Sequence, residues 1–152
     1  METDDIDRIL KRLPNYLGTF ACNELPELKS AGGILVSNTD PAHKRGEHWI
    51  AIYFSADRRH GEYFDPLGRP PNAVFRRYIV NNCHHWTYNR RQLQSVASSY
   101  CGHYCVLYCI LRCRGVDLIA FANMFTRDTG LNEAIVKGSF KRYQIFMNRS
   151  AL

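Results

Sequence analysis

Between residues 101 and 113 the chain reads Cys-Gly-His-Tyr-Cys-Val-Leu-Tyr-Cys-Ile-Leu-Arg-Cys, and this stretch constrains the fold more than any other. Cysteine returns at 101, 105, 109 and 113, the spacing of one helix face, and the residues between are mostly apolar. A helix that is apolar nearly all round cannot lie on a surface and must be packed by other elements. The spacing therefore predicts a buried helix from Cys101 to about Cys113, approached through Ser98 and Ser99 and closed by Gly115. Neighbouring cysteines along one helix do not meet disulfide geometry. The start Met1-Glu2-Thr3-Asp4-Asp5 is acidic where a secretory signal needs positive charge. No apolar run approaches the roughly 18 residues of a membrane span. The expectation is a soluble, cytosolic protein whose cysteines, Cys22 and Cys83 included, are free thiols.

A chain of 152 residues fits one domain, residues 1–152, with no length left for a second core. Thr3 is placed to cap a first helix in which Ile6, Ile9, Leu10 and Leu13 share a face and Pro14 ends the run. A loop with Pro26 follows, then Gly33–Ser37 as a short buried strand. His48–Phe54 and Glu62–Phe64 are rich in aromatic and β-branched residues and flank a polar, turn-like stretch, which predicts a hairpin. Pro70-Pro71 open a helix carrying Val74, Phe75, Tyr78 and Ile79; residues 86–88 and 91–94 look extended. Asp117 caps a helix with Leu118, Phe121, Ala122 and Phe125, and a last helix from about Asn132 carries Val136, Phe140, Tyr143 and Met147. Helices at both ends and strands in the middle define an α+β fold.

Twenty Lys and Arg against fourteen Asp and Glu leave a formal charge of +6. Basic doublets recur at 11–12, 58–59, 76–77, 90–91 and 141–142. Such a charge attracts polyanions without sequence preference, and it equally describes a well-solvated surface. No zinc finger, RNA-binding signature or helix-turn-helix accompanies it.

The chemistry-bearing residues converge from two directions. With residues 55–58 taken as the hairpin loop, position 48 faces position 65: a His opposite an Asp. A carboxylate on one ring nitrogen fixes the tautomer and stabilises the imidazolium, leaving the other nitrogen for proton transfer. Alone, such a pair reads first as a solvent-exposed ion pair at a hairpin end. Cys101 adds a thiol at the start of the buried helix, where free backbone N–H groups and the dipole favour thiolate. Gly102 leaves room for a substrate to approach the sulfur, and the N–H of Cys101 can meet a developing oxyanion. The side-chain amide of Gln94 supplies a second donor. Cys105, Cys109 and Cys113 read as small buried hydrophobes. A zinc site built on Cys101, His103 and Cys105 is disfavoured because residue 103 points away from the other two on a helix.

Taken together, the Gly46-Glu47-His48-Trp49 turn, Tyr63-Phe64-Asp65-Pro66-Leu67-Gly68, and Gln94 followed by Cys101-Gly102 resemble the adenovirus maturation proteases, the adenains. They resemble the SUMO-type ubiquitin-like-protein proteases more distantly. Tyr16–Phe20 also looks adenain-like; the likeness runs from about residue 14 to 113 and is poor beyond. The resemblance implies an adenain-like fold, with a central mixed or antiparallel sheet packed by helices. It implies Cys101 as nucleophile, His48 as general base and then acid, Asp65 as its orienter and Gln94 as oxyanion donor, with no metal. Adenains usually carry Glu where this chain has Asp65; the SUMO-type enzymes carry Asp.

By the same resemblance the substrates are polypeptides cut at glycine-containing sites, such as viral or mobile-element capsid precursors. The cofactors are DNA and an activating peptide, with Cys83 where such a peptide would bond. The protein would be a monomer away from membranes, in the virion or host nucleus if viral and otherwise intracellular. The rivals are a deconjugating protease for SUMO- or ubiquitin-like modifiers, a non-catalytic nucleic-acid-binding module, and a zinc-binding structural domain.

Overall fold

The structure, a computed structural model, describes residues 1–29 and 31–149, with side chains through residue 144. Its elements run α1 (Thr3–Leu10), β1 (Tyr16–Ala21), β2 (Gly33–Asn38), β3 (Trp49–Phe54), β4 (His60–Phe64), α2 (Ala73–Asn82), β5 (His85–Tyr88), α3 (Cys101–Arg112), α4 (Leu118–Asn123) and α5 (Thr129–Arg149). The strands form one sheet in chain order, β1-β2-β3-β4-β5. The outer pairs, β1 with β2 and β4 with β5, are parallel; the two inner pairings are antiparallel. The α+β class and the mixed sheet inferred from the sequence are both present.

Alternation along the strands divides the core in two. Ile34, Val36, Ala51 and Phe64 face α3, which is walled by α1, α4 and α5 and buries Tyr104, Cys105, Tyr108 and Cys109 completely. Leu35, Ile50, Ile52, Phe54 and Tyr63 face the other way, onto Phe75 and Ile79 of α2. Burying each large apolar side chain contributes roughly 1.5–3 kcal/mol. The all-round apolar helix of the sequence is thus the central helix of the larger core. All six cysteines are free thiols.

Several local expectations need correction. Tyr16–Ala21 is a strand, although its sequence shows no alternation. A bulge between Tyr16 and Gly18, with Gly18 at φ 127°, breaks the two-residue period that would have marked it. The first helix is capped by Glu2 rather than Thr3 and ends at Leu10, ahead of Pro14. Asn72, not the prolines, caps α2, accepting from the Phe75 N–H, and Val74 is 48% exposed rather than buried. Residues 91–94 form no strand, and α5 begins at Thr129, earlier than Asn132. Met147 falls outside the described side chains.

The hairpin register also differs from the expected one. Ala51 pairs with Phe64 and Phe54 with Gly61, because the loop sits one residue later than assumed, the Ser55 N–H donating to His60 O. The ladder thus brings Asp65 level with Ile50, two residues from His48. An even shift keeps both residues on one face, so they remain diagonal neighbours within side-chain reach.

Candidate active site

Cys101 is the first residue of α3, and its side of the helix start is nearly closed to solvent. The first intrahelical bond runs from the Tyr104 N–H to the Tyr100 carbonyl, so the N–H groups of Cys101, Gly102 and His103 have no intrahelical acceptor. His48 lies one residue ahead of β3, its carbonyl accepting from the Thr39 N–H at 2.9 Å. Asp65 follows β4 directly and is 3% exposed. Its Oδ1 accepts from His48 Nε2 at 2.6 Å and from the Leu67 N–H at 2.8 Å. The imidazole nitrogen left over, Nδ1, is the one available to the sulfur.

The charges of thiol and imidazole follow from these contacts. Burial disfavours the His48 imidazolium, but hydrogen bonding with Asp65 and then with Cys101 outweighs it and pushes the pKa up to about 9. Burial likewise raises the Cys101 thiol. Hydrogen bonding from His48 and from the Trp49 and Gly102 backbone N–H groups reverses that and holds the thiol below its ordinary value. Opposite shifts of these two groups favour a thiolate–imidazolium pair over the neutral pair. Cys105 and Cys109, fully buried on the same helix, are shifted well upward by burial and stay neutral.

Gln94 sits in the buried loop leading to α3. Its main-chain N–H donates to Pro66 O at 3.0 Å, and its Nε2 donates to the Ser98 carbonyl at 2.8 Å. One amide hydrogen therefore remains uncommitted. Gly102 does not stand open as expected. A Cβ there would lie 3.1 Å from Met1 Cβ and 3.2 Å from Trp49 Cδ1, so the glycine admits the N-terminal residue and an indole. Trp49 Nε1 donates to the Met1 carbonyl at 3.0 Å, fixing that lid. Cys83 is remote from the thiol. It caps α2 next to Gly61, toward the hairpin-loop end of β4, whereas Asp65 lies past the other end. Its Sγ donates to Ile79 O at 3.3 Å, and burial raises its pKa.

Residues with no site role assigned from the sequence hold the site together. The turn Asp65–Gly68 closes through a bond from the Gly68 N–H to Asp65 O, and Gly68 has φ 70°. A Cβ on Gly68 would lie 2.7 Å from Arg91 C and Gln92 N, so the turn rests directly on the loop that carries Gln94. Asn89, 5% exposed, binds the main chain of Asp65 from the side. Asn132 Nδ2 and Tyr104 Oη both donate to the Leu93 carbonyl, at 3.0 and 3.2 Å.

A buried helix with a thiol at its start, set against a mixed sheet that delivers His and Asp, is the adenain-like cysteine protease fold. Among solved structures the chain is similar to the ASFV pS273R protease, with TM-score 0.62 and 20% identity over 86% of this chain. It spans 63% of the length of that structure. The Se-Met form of the same protease aligns over 68% of this chain and 43% of that one, at 22% identity and TM-score 0.49. No protein-family model and no curated protein matches the sequence.

Proposed function

We propose that the chain is a cysteine endopeptidase. The observation that carries this reading is the contact of Cys101 with an imidazole that Asp65 holds at 2.6 Å, with thiol and imidazole shifted in opposite directions. In the proposed reaction the Cys101 thiolate attacks the carbonyl carbon of a peptide bond. The negative charge formed on oxygen is met by the N–H of Cys101 and the free amide hydrogen of Gln94. The His48 imidazolium gives its proton to the departing amine, leaving a thioester. Neutral His48 then takes a proton from water, which attacks the thioester, releases the acid and restores the thiolate–imidazolium pair. Asp65 holds Nε2 and so keeps Nδ1 aimed at the sulfur.

The resemblance to adenains, and a fold neighbour that is itself a viral protease, support glycine-containing viral or mobile-element structural precursors as substrates. The same resemblance supports DNA and a peptide bound near Cys83 as activators, and the charge of +6 supports the first of these. The proposal places such an enzyme where the precursors assemble, in the virion or the host nucleus.

The test is cleavage of a panel of glycine-containing structural-precursor peptides beside ubiquitin-like modifier fusions. Hydrolysis of the first by the native chain, lost in Cys101→Ser, is the expected result. Hydrolysis that survives Cys101→Ser would remove the assignment, and preference for the fusions would redirect it to deconjugation.

A further inference from the structure

The His48–Asp65 pair depends on where a turn holds Asp65, and that turn has a side chain as its main anchor. Asn89 Oδ1 accepts from the Asp65 N–H at 2.9 Å, and Asn89 Nδ2 donates to the Asp65 carbonyl at 2.6 Å. One side chain thus takes both main-chain groups of the residue beyond the end of β4, as a neighbouring strand would. Asn89 is also the residue just beyond β5, whose last pairing is Tyr88 with Tyr63. The parallel ladder stops there, and the Asn89 amide continues it by one residue. Nδ2 also reaches Arg91 O at 3.3 Å, tying the same amide to the segment that leads to Gln94.

The next residue of the turn carries the connection further. Pro66 O accepts from the Leu93 N–H at 2.9 Å and the Gln94 N–H at 3.0 Å. Asp65 and Gln94 therefore share one docked turn, clamped by Asn89 on one side. An exposed asparagine would have solvent to satisfy it. This one is buried, and its three hydrogen bonds all go to main chain within the unit that aligns acid and amide. Alanine would leave the Asp65 N–H buried without an acceptor.

The geometry points to Asn89 as a positioning residue for the proposed protease: it sets the Asp65 carboxylate against His48 and, through the shared turn, seats Gln94. The inference rests on the protease reading for its consequence in catalysis, but its first readout does not. The charged groups that raise the His48 pKa most are Asp65 and Cys101. A displaced Asp65 carboxylate must therefore appear in the ionisation of the ring.

The experiment is an NMR titration of the His48 imidazole in the full chain, native and Asn89→Ala. Ile79→Ala, in the core on the other sheet face, controls for lost stability. We expect the His48 pKa of Asn89→Ala to fall by about one unit or more, toward its ordinary value, while Ile79→Ala leaves it in place. In cleavage assays kcat falls about tenfold to a hundredfold with KM little changed, and the alkaline limb of activity moves to lower pH. An unmoved His48 titration in a folded Asn89→Ala protein overturns the inference, even if stability drops. Should that variant not fold, Asn89→Ser and amide exchange of the native chain decide. The Asp65 N–H must be protected like a ladder amide, and exchange at the rate of an open loop sinks the idea. A native chain that cleaves nothing yet shows the shift in Asn89→Ala refutes the protease reading and leaves the positioning role standing.

Discussion

At the scale of single residues, the site turns on proton placement. His48 has its pKa raised to about 9, so its charged form is favoured in the folded chain relative to the unfolded one. That contribution is fully present below the unfolded value of about 6.5 and is lost as pH rises through about 9. Cys101 is shifted the other way, so thiolate appears below the ordinary thiol range. Activity should therefore rise with pH as Cys101 ionises, below the ordinary thiol range, and fall as His48 loses its proton near pH 9. Alkylation of Cys101 by iodoacetamide across pH measures the acid limb directly. In His48→Ala the thiol loses its partner, and the alkylation midpoint should move up by at least one unit. An unchanged midpoint would mean that the imidazole does not act on the sulfur. Much of this was legible, because each residue type announces a chemistry: a thiol at a helix start, an imidazole and a carboxylate on one hairpin. Asn89 was not. It acts by imitating backbone, which any short polar residue can be placed to do, and nothing in its own sequence neighbourhood marks it.

At the scale of elements, the buried Glu62 links three of them. Its carboxylate accepts from Tyr108 Oη on α3 at 2.5 Å and from the Leu118 N–H that begins α4 at 3.3 Å, and it pairs with Arg112 Nε at 3.0 Å. The Arg112 guanidinium also lies over the Tyr53 ring of β3, 3.9 Å from its centroid. Glu62→Ala strands a mostly buried cation and two donors at once, and breaking a buried pair in this way costs about 3–5 kcal/mol. Chemical denaturation should show that loss, while the alkylation midpoint of Cys101 stays where it was. A loss below about 1 kcal/mol would show that the network is not a tie between sheet and helices.

Gly68→Ala belongs to the same scale. Its φ of 70° and the 2.7 Å approach to the 91–92 backbone leave no space for a methyl group. Strain at such a position costs on the order of 1–3 kcal/mol. Because the turn holds Asp65, the His48 titration should move together with stability; a stability loss alone would uncouple turn from site. Elements were readable from sequence where periodicity was intact, as in α3 and the β3–β4 hairpin. They were hidden where a bulge disrupts it, as in β1, or where register depended on a loop placed one residue later than assumed.

For the whole molecule, the question is where an excess of six positive charges lies. From Arg58 to Arg91 the only carboxylates are Glu62 and Asp65, and both are buried. Over the same span Arg59, Arg69, Arg76, Arg77 and Arg90 are exposed, with His84 and His85 beside them. The segment supplies α2 and the edge strand β5, so one flank of the sheet carries cations that no exposed carboxylate of that span offsets, Arg59 being the one that faces the exposed Asp57 just before it, at 3.9 Å. Cys101 belongs to the opposite face, at the start of α3. A polyanion held on this flank would not cover Cys101, as the proposed DNA activation requires. Duplex DNA should bind with an affinity that falls steeply with salt. Arg76→Glu with Arg77→Glu should weaken it and reduce the logarithmic salt slope by about two, one for each phosphate contact removed. Cys101→Ser should bind DNA as the native chain does, since the two sites share no residue. Fluorescence anisotropy of a labelled duplex at several salt concentrations measures all three. An affinity indifferent to salt, or a slope the double variant leaves unchanged, would return this flank to the status of a solvated surface.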